Sequence, residues 1–352
     1  MPEKTIRIGN LEIGPGHPPL IVAEMSGNHN QSLDRALEIV DAAARTGAHM
    51  LKIQTYTADT MTIDKEDGEF RINDPKSLWN GHSLHKLYRL AHTPWEWHAP
   101  IFERCRERGM LPFSTPFDAT AVDFLEAMDV PVHKIASFEN TDLPLLRKVG
   151  ATGKPVIVST GMATVAELEE TVKTLRGAGN DQIILLKCTS SYPATPEFSN
   201  VLTIPHLRDL FGTLVGLSDH TLGVGASVTS VALGACLIEK HFTLARADGG
   251  VDSAFSMEEA EMKNLVEETF RGWQSLGRIT YGPGPAEKGS LIFRRSLYVV
   301  KDVKAGERFD AESVRAIRPG YGLPTKFLET FLGRRAGKDI KRGTALSWDL
   351  LG

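Results

Sequence analysis

Cysteine is scarce. The chain has three in 352 residues (Cys105, Cys188 and Cys236), an odd set with no CxxC spacing. That excludes a disulfide scaffold and a thiolate metal or redox motif, and it suits a reducing compartment. Long apolar runs are missing too. None approaches the ~18 residues that span a bilayer, and the first residues, Met-Pro-Glu-Lys, carry no signal-like apolar stretch. The expected location is the cytoplasm, with no membrane partner. Excess positive charge is absent, with 40 Lys and Arg against 44 Asp and Glu and a net charge of −4, so nucleic acid is not the expected partner. There is no Walker A sequence and no GxGxxG after the first apolar run, and Gly223-Val-Gly225 is too short a match to weigh. With 41% apolar and 24% charged residues, the composition is that of a soluble globular enzyme and excludes disorder. At about 150 residues per domain the length implies about two domains.

The charge is unevenly spread. Residues 293–352 hold 5 Lys and 8 Arg against 7 acidic residues, a net +6, so the preceding 292 residues carry −10. Either this is a solvated surface bias, or the basic unit docks on acidic surface or supplies cations to an anionic ligand.

Along the first 280 residues one pattern repeats. Short apolar runs occur at Leu20–Ala23, Met50–Ile53, Leu111–Ser114, Val132–Ile135, Val156–Ser159, Ile183–Leu186, Leu214–Leu217 and Cys236–Glu239. Continuous hydrophobicity, rather than alternation, suits parallel strands buried on both faces. Amphipathic segments such as Leu33–Arg45, Thr120–Met128 and Val165–Ala178 lie between them. Thr164 and Glu167 have the spacing of a capping box. Eight such repeats in about 250 residues predict an α/β protein with a (β/α)8 barrel. The last helix is expected over Glu258–Leu276, followed by a break at Gly282-Pro-Gly-Pro285. We therefore expect a catalytic barrel over 1–281, a linker over 282–292, and a small, mostly β domain over 293–352 with strands at Ser296–Val300, Ser313–Ile317 and Ala336–Ile340. The stretch Tyr56–Pro94 is longer than an ordinary loop and is expected to cover the barrel mouth.

In such a barrel the active site lies at the C-terminal strand ends. Those ends carry Glu24, Ser26, Asn28 and His29; Lys52 and Gln54; Ser114, Thr115 and Asp118; Lys134, Ser137 and Glu139; Ser159 and Thr160; Lys187, Thr189, Ser190 and Tyr192; Ser218, Asp219, His220 and Thr221; and Glu239, Lys240 and His241. Lysines among hydroxyls suit a phosphate or a phosphate-plus-carboxylate ligand. Four lysines facing one another without an anion would repel. His220 and His241 stand on neighbouring strands. With Glu24 reaching through water they would fit a divalent metal, while the plainer reading is a hydrogen-bonded pair without one. His29 is a rival ligand or a polar contact. Cys188 and Cys236 read as core thiols.

At these residues the chain resembles the sialic-acid synthase family, the phosphoenolpyruvate-dependent nonulosonic acid synthases. The matching stretches are Ala23-Glu-Met-Ser-Gly-Asn-His-Asn30, Lys52-Ile-Gln-Thr55, Phe113-Ser-Thr-Pro-Phe117, His133-Lys-Ile-Ala-Ser137, Ser159-Thr-Gly-Met162, Gly216-Leu-Ser-Asp-His-Thr221 and Glu239-Lys-His-Phe242. They fall in family order over almost the whole chain. Ile317-Arg-Pro-Gly320 is similar to that family's C-terminal antifreeze-like (SAF) domain. Within the family, the pseudaminate-forming branch is resembled at Tyr56–Met61, Thr93–His98, Ser137–Asp142, Ala247–Ser253 and Phe293–Tyr298.

The resemblance implies condensation of phosphoenolpyruvate with the open aldehyde form of a 2-acetamido sugar, with loss of phosphate by C–O cleavage. For the pseudaminate branch the sugar is a 2,4-diacetamido-2,4,6-trideoxy-L-altrose. It implies a phosphoenolpyruvate site of Lys52, Thr115, Lys134, Ser137, Ser159, Ser190 and Ser218, where Ser190 departs from the Asn common in neuraminate synthases. His220 and His241 would hold Mn2+, with Mg2+ or Co2+ as alternatives, and Glu24 would act on a water at that ion. Gln54, Glu139, Tyr192 and Asp252 would face the sugar. Arg318 would reach it from the other subunit of a domain-swapped homodimer. Lys187 and Lys240 stand where neuraminate synthases tend to have His and Arg. The 6-deoxy sugar calls for an apolar surface, which Trp95, Trp97 and Phe138 offer if they do not simply pack. The competing readings are a legionaminic or N-acetylneuraminic acid synthase, a Schiff-base aldolase using Lys187, and an ice- or carbohydrate-binding protein.

Overall fold

The computed structural model describes residues 4–352. A hairpin comes first, β1 (Ile6–Ile8) and β2 (Leu11–Ile13), antiparallel with Ile6 opposite Ile13. At three residues each, these strands are too short to stand out as apolar runs in the sequence. Its isoleucines Ile6, Ile8 and Ile13 are buried among Leu20, Met50, Val132 and Leu214, residues at or beside the starts of barrel strands. The hairpin thus closes the end of the barrel away from the site. Each such isoleucine contributes about 1.5–3 kcal/mol by leaving water.

The eight apolar runs form eight strands: β3 (Leu20–Glu24), β4 (Met50–Thr55), β5 (Leu111–Pro116), β6 (His133–Ile135), β7 (Val156–Ser159), β8 (Ile183–Cys188), β9 (Leu214–Ser218) and β10 (Leu237–His241). They close a parallel barrel in chain order, with β10 pairing β3. Their side chains alternate between two cores. Val22, Met50, Phe113, Ile157, Ile184 and Leu186 fill the barrel. Ile21, Leu51, Ile53, Val158, Leu185 and Ile238 pack under the helices. On β9, Gly216 leaves room where a Cβ would lie 2.3 Å from the Leu237 carbonyl oxygen, so only glycine lets β9 and β10 approach there.

The helices are α1 (Leu33–Thr46), α2 (Ala58–Met61), α3 (Leu84–Ala91), α4 (His98–Glu107), α5 (Ala119–Ala127), α6 (Leu143–Ala151), α7 (Val165–Gly177), α8 (Thr203–Phe211), α9 (Gly225–Ala232) and α10 (Glu259–Leu276). Their starts are set by side-chain caps: Ser32 on α1, Asp118 on α5, Asp142 on α6, and the Thr164–Glu167 capping box on α7. Asp118 is therefore committed to a helix end. Two of the short helices, α2 and α3, belong to the long segment between β4 and α4.

The chain divides into two compact units, Met1–Gly277 and Arg278–Gly352. In the second, β11 (Ser296–Val299) pairs antiparallel with β12 (Val314–Ile317) over a core of Leu297, Val299, Phe309, Phe331 and Leu346. The expected strand at Ala336–Ile340 does not form. Its ends make only isolated bridges, Ala336 to Leu351 and Ile340 to Val303. Lys338 in its middle turns outward to pair with Asp349.

Candidate active site

The strand ends converge on a cavity of about 360 Å3. Lys52 and Gln54 enter it from β4, Lys134 from β6, and Glu239 and His241 from β10. Residues two apart on a strand share a face, so the intervening residues point away. This corrects the expectation of four facing lysines. The Lys240 ammonium is buried between barrel and helices, on Asp219 Oδ2 at 3.2 Å and the Gly223 carbonyl at 2.9 Å. The Lys187 ammonium lies 2.7 Å from the Cys188 carbonyl oxygen and is absent from the cavity wall.

The two lysines that remain share a carboxylate. Glu239 Oε1 is 3.6 Å from Lys52 Nζ and 3.7 Å from Lys134 Nζ. Burial opposes ionisation of Glu239, but the Lys134 and Lys52 ammoniums outweigh it and hold the carboxyl below its ordinary range. Lys52 also donates to Thr115 Oγ1 at 3.2 Å, and Lys134 to Ser159 Oγ at 2.7 Å. Ser218 Oγ lies 3.4 Å from Glu239 Oε1, and Ser190 Oγ donates to Ser137 Oγ at 2.9 Å. Thr115 and Ser190 thus stand just behind the wall that Ser137, Ser159 and Ser218 line. Gly161, at φ +50°, allows this closeness, because a Cβ there would lie 2.4 Å from Ser137 Cβ.

Glu24 is fully buried behind the wall. It pairs with Lys52 at 2.8 Å and accepts from Gln54 Nε2 at 3.0 Å. Burial raises its carboxyl pKa, against the pull of Lys52. Tyr192, Asp252 and Glu139 also line the cavity, Asp252 accepting from Ser26 Oγ, which in turn accepts from Gln54 Nε2. Glu139 is pushed up to about 7 by burial, with Lys134 opposing. Its Oε2 has no hydrogen-bond partner. Arg318 lies in the second compact unit.

The His220 and His241 rings are 5.4 Å apart, centroid to centroid. His220 Nδ1 lies 3.0 Å from the Thr189 carbonyl oxygen. A carbonyl only accepts, so this nitrogen carries a proton; burial opposes a charge on the ring, but the contact with Cys188 outweighs it and raises the His220 pKa. His241 Nδ1 is buried without a hydrogen-bond partner, and burial with the neighbouring His220 and lysines keeps the ring neutral. Two neighbouring imidazoles, one of them neutral with an open nitrogen, fit a borderline divalent cation, which would displace a proton from His220. Among the described residues no three His, Cys, Asp or Glu side chains converge as a ready metal cluster, so other positions would fall to substrate oxygens and water. His29 is not a ligand. Its Nδ1 accepts from Gln31 N–H and its Nε2 meets Thr93 Oγ1.

A profile of the NeuB family matches residues 39–281, and one of the SAF domain matches 294–352. The chain belongs to the NeuB family. It is 42% identical to the pseudaminic acid synthase of Helicobacter pylori over 94% of this chain and 97% of that one. It is 35% identical to the N,N'-diacetyllegionaminic acid synthase of Campylobacter jejuni over 92% and 97%. Among solved structures, the N-acetylneuraminic acid synthetase of Leptospira borgpetersenii, in complex with citrate, superposes with a TM-score of 0.73 at 30% identity, covering 82% of this chain and 95% of that one.

The NeuB-family barrel also has features that the motifs did not reveal. Glu239 was seen at a strand end, but its place between the two lysines was not. Residue parity would have found it, since Glu239 and His241 share a face. Cys188, read as a core thiol, and the apolar character of the wall from the long segment were missed, while Ser26 lines the cavity as its place at a strand end suggested. Of the three aromatics expected near the sugar, only Phe138 lines the cavity. Trp95 packs on Phe124 and Trp97 meets the edge of His29.

Proposed function

We propose that this protein is a pseudaminic acid synthase, joining phosphoenolpyruvate to 2,4-diacetamido-2,4,6-trideoxy-L-altrose and water to give pseudaminic acid and phosphate. The observation that carries the chemistry is one cavity holding two buried ammoniums, a row of hydroxyls and a pair of neighbouring histidines. The likeness to pseudaminic acid synthases supports the choice of sugar.

In this reading Lys52 and Lys134, with Ser137, Ser159, Ser190, Ser218 and Thr115, hold the phosphate and carboxylate of phosphoenolpyruvate. Gln54, Glu139, Tyr192 and Asp252 orient the open-chain sugar, so that its aldehyde carbon meets C3 of the enol. Arg318 of a second copy completes the sugar site in a domain-swapped homodimer. The enol electrons form the C–C bond and leave positive character at C2, where water adds. The tetrahedral carbon then expels phosphate with cleavage of its C–O bond. The two lysines stabilise the leaving phosphate. Glu24, joined to the wall through Lys52 and Gln54, takes up and returns the proton. His220 and His241 would hold a divalent cation, with Mn2+ as the first choice, and its chemistry there would be Lewis-acid polarisation of the aldehyde. The protein works in the cytoplasm, where phosphoenolpyruvate is made.

Lys187 faces away from the cavity, which disfavours a Schiff-base aldolase. Phosphate release from phosphoenolpyruvate is the test, measured with Mn2+ and with the acceptors of pseudaminic, legionaminic and N-acetylneuraminic acid in turn. Release with the first sugar, far above the others, is expected. Release only with one of the others assigns the protein to that branch, and none with any overturns the reading.

A further inference from the structure

The cavity has two unlike sides. The floor is polar and comes from strand ends. The facing wall comes from the segment between β4 and α4 and is made of Met61, Ile72, Trp79, Leu84, Leu87 and Tyr88. That segment has many charged residues, yet none of them lines the cavity. On α3, Leu84, Leu87, Tyr88 and Ala91 line it, at i, i+3, i+4 and i+7. This is the apolar stripe of an amphipathic helix, here facing open space instead of a packed core. His85, Lys86 and Arg89 face elsewhere. His85 pairs with Asp59 and Lys86 with Glu66.

The wall is held in place. Trp79 Nε1 donates to the Val251 carbonyl oxygen at 2.9 Å, and its ring lies 6.0 Å from that of Tyr192. Tyr192 in turn packs 4.6 Å from the His220 ring. The Trp79 N–H is thus already used. Apart from the hydroxyls of Tyr88 and of Tyr56 at the start of the segment, this part of the lining offers a substrate no side-chain hydrogen-bonding group.

We infer that Met61, Ile72, Leu84 and Leu87 form a specificity subsite that receives a methyl-bearing end of the acceptor, remote from its aldehyde. The inference rests on the reading above and deepens it. The aldehyde must meet the lysine and histidine floor, so an open six-carbon chain directs its far end at the opposite wall. A hydroxyl there loses water and finds no partner, which costs binding. A methyl group there gains by leaving water. The subsite therefore selects a 6-deoxy sugar.

The test uses two 2,4-diacetamido hexoses of one configuration, differing only in a hydroxyl at C6. With phosphoenolpyruvate and Mn2+, the 6-deoxy sugar should have a kcat/KM about 100-fold above its 6-hydroxy partner, the usual discrimination of an apolar pocket against an added hydroxyl. Leu87→Asn and Leu84→Asn should each narrow that ratio about tenfold, by giving the hydroxyl a partner. Near-equal kcat/KM in the wild type overturns the inference. So does a wide ratio left unchanged in both folded variants. Thermal melts identify variants that fail to fold, in which case the wild-type ratio decides alone. Turnover of neither sugar overturns the parent reading, and the subsite with it.

Discussion

Replacing Glu239 by Gln tests the electrostatic arrangement at the floor directly. The change keeps shape and removes one charge from between Lys52 and Lys134, whose ammoniums lie 3.6 and 3.7 Å from Oε1. At an effective dielectric constant of 20, each attraction amounts to about 4–5 kcal/mol, part of which offsets the desolvation of three buried groups. Lys52 keeps Glu24 at 2.8 Å. Lys134 has no other carboxylate within 4 Å and keeps only Ser159 and a carbonyl oxygen. Breaking a buried pair from one side costs about 3–5 kcal/mol. At about 2–4 °C per kcal/mol for a unit of this size, the melting temperature should fall by about 6–20 °C. The assay is thermal unfolding of wild type and Glu239→Gln, with and without inorganic phosphate. Phosphate should restore more of the lost stability in the variant than it adds to the wild type, because an anion there meets an uncompensated ammonium and binding to the native state stabilises it. A fall of less than about 1 kcal/mol, with equal phosphate effects, refutes the claim that Glu239 is the counterion of Lys52 and Lys134.

Two further outcomes follow. Lys187→Met should leave kcat/KM within about threefold of wild type, since substitutions away from functional contacts stay near ±0.5 kcal/mol; loss of activity, with borohydride trapping of pyruvate on the wild type, would return the aldolase reading. Glu139, raised to about 7, should give acceptor kcat/KM a limb that climbs with pH up to about 7. Glu139→Gln should abolish that limb. Stability runs the opposite way: a raised carboxyl penalises the fold above the unfolded value near 4.5, so the variant should gain up to about 3 kcal/mol above pH 7 and nothing below pH 4.5. A pH profile and melting curves of both proteins check this.

The eight barrel strands were legible because a strand buried on both faces must be apolar at nearly every position, and Leu20–Ala23 or Ile183–Leu186 has no other soluble explanation. The capping box at Thr164 was legible because it is local. The antifreeze-like strand at Ala336–Ile340 was not, since a five-residue stretch reads alike as strand or bridge until its partners are known. The site was half legible. Motifs brought Lys52, Lys134, His220 and His241 to strand ends, but Lys187 and Lys240 joined them on the same evidence.

The sequence by itself determined the barrel, the second unit and the residue types at the mouth, because burial pattern and spacing are properties of the chain. Only the tertiary structure decided which lysines face the cavity. The barrel closes with one parity inward, which turns Lys240 onto Asp219 while leaving Lys52 and Lys134 around Glu239. It alone also turned the apolar stripe of α3 toward the cavity, because the direction of a helix face depends on what the helix packs against.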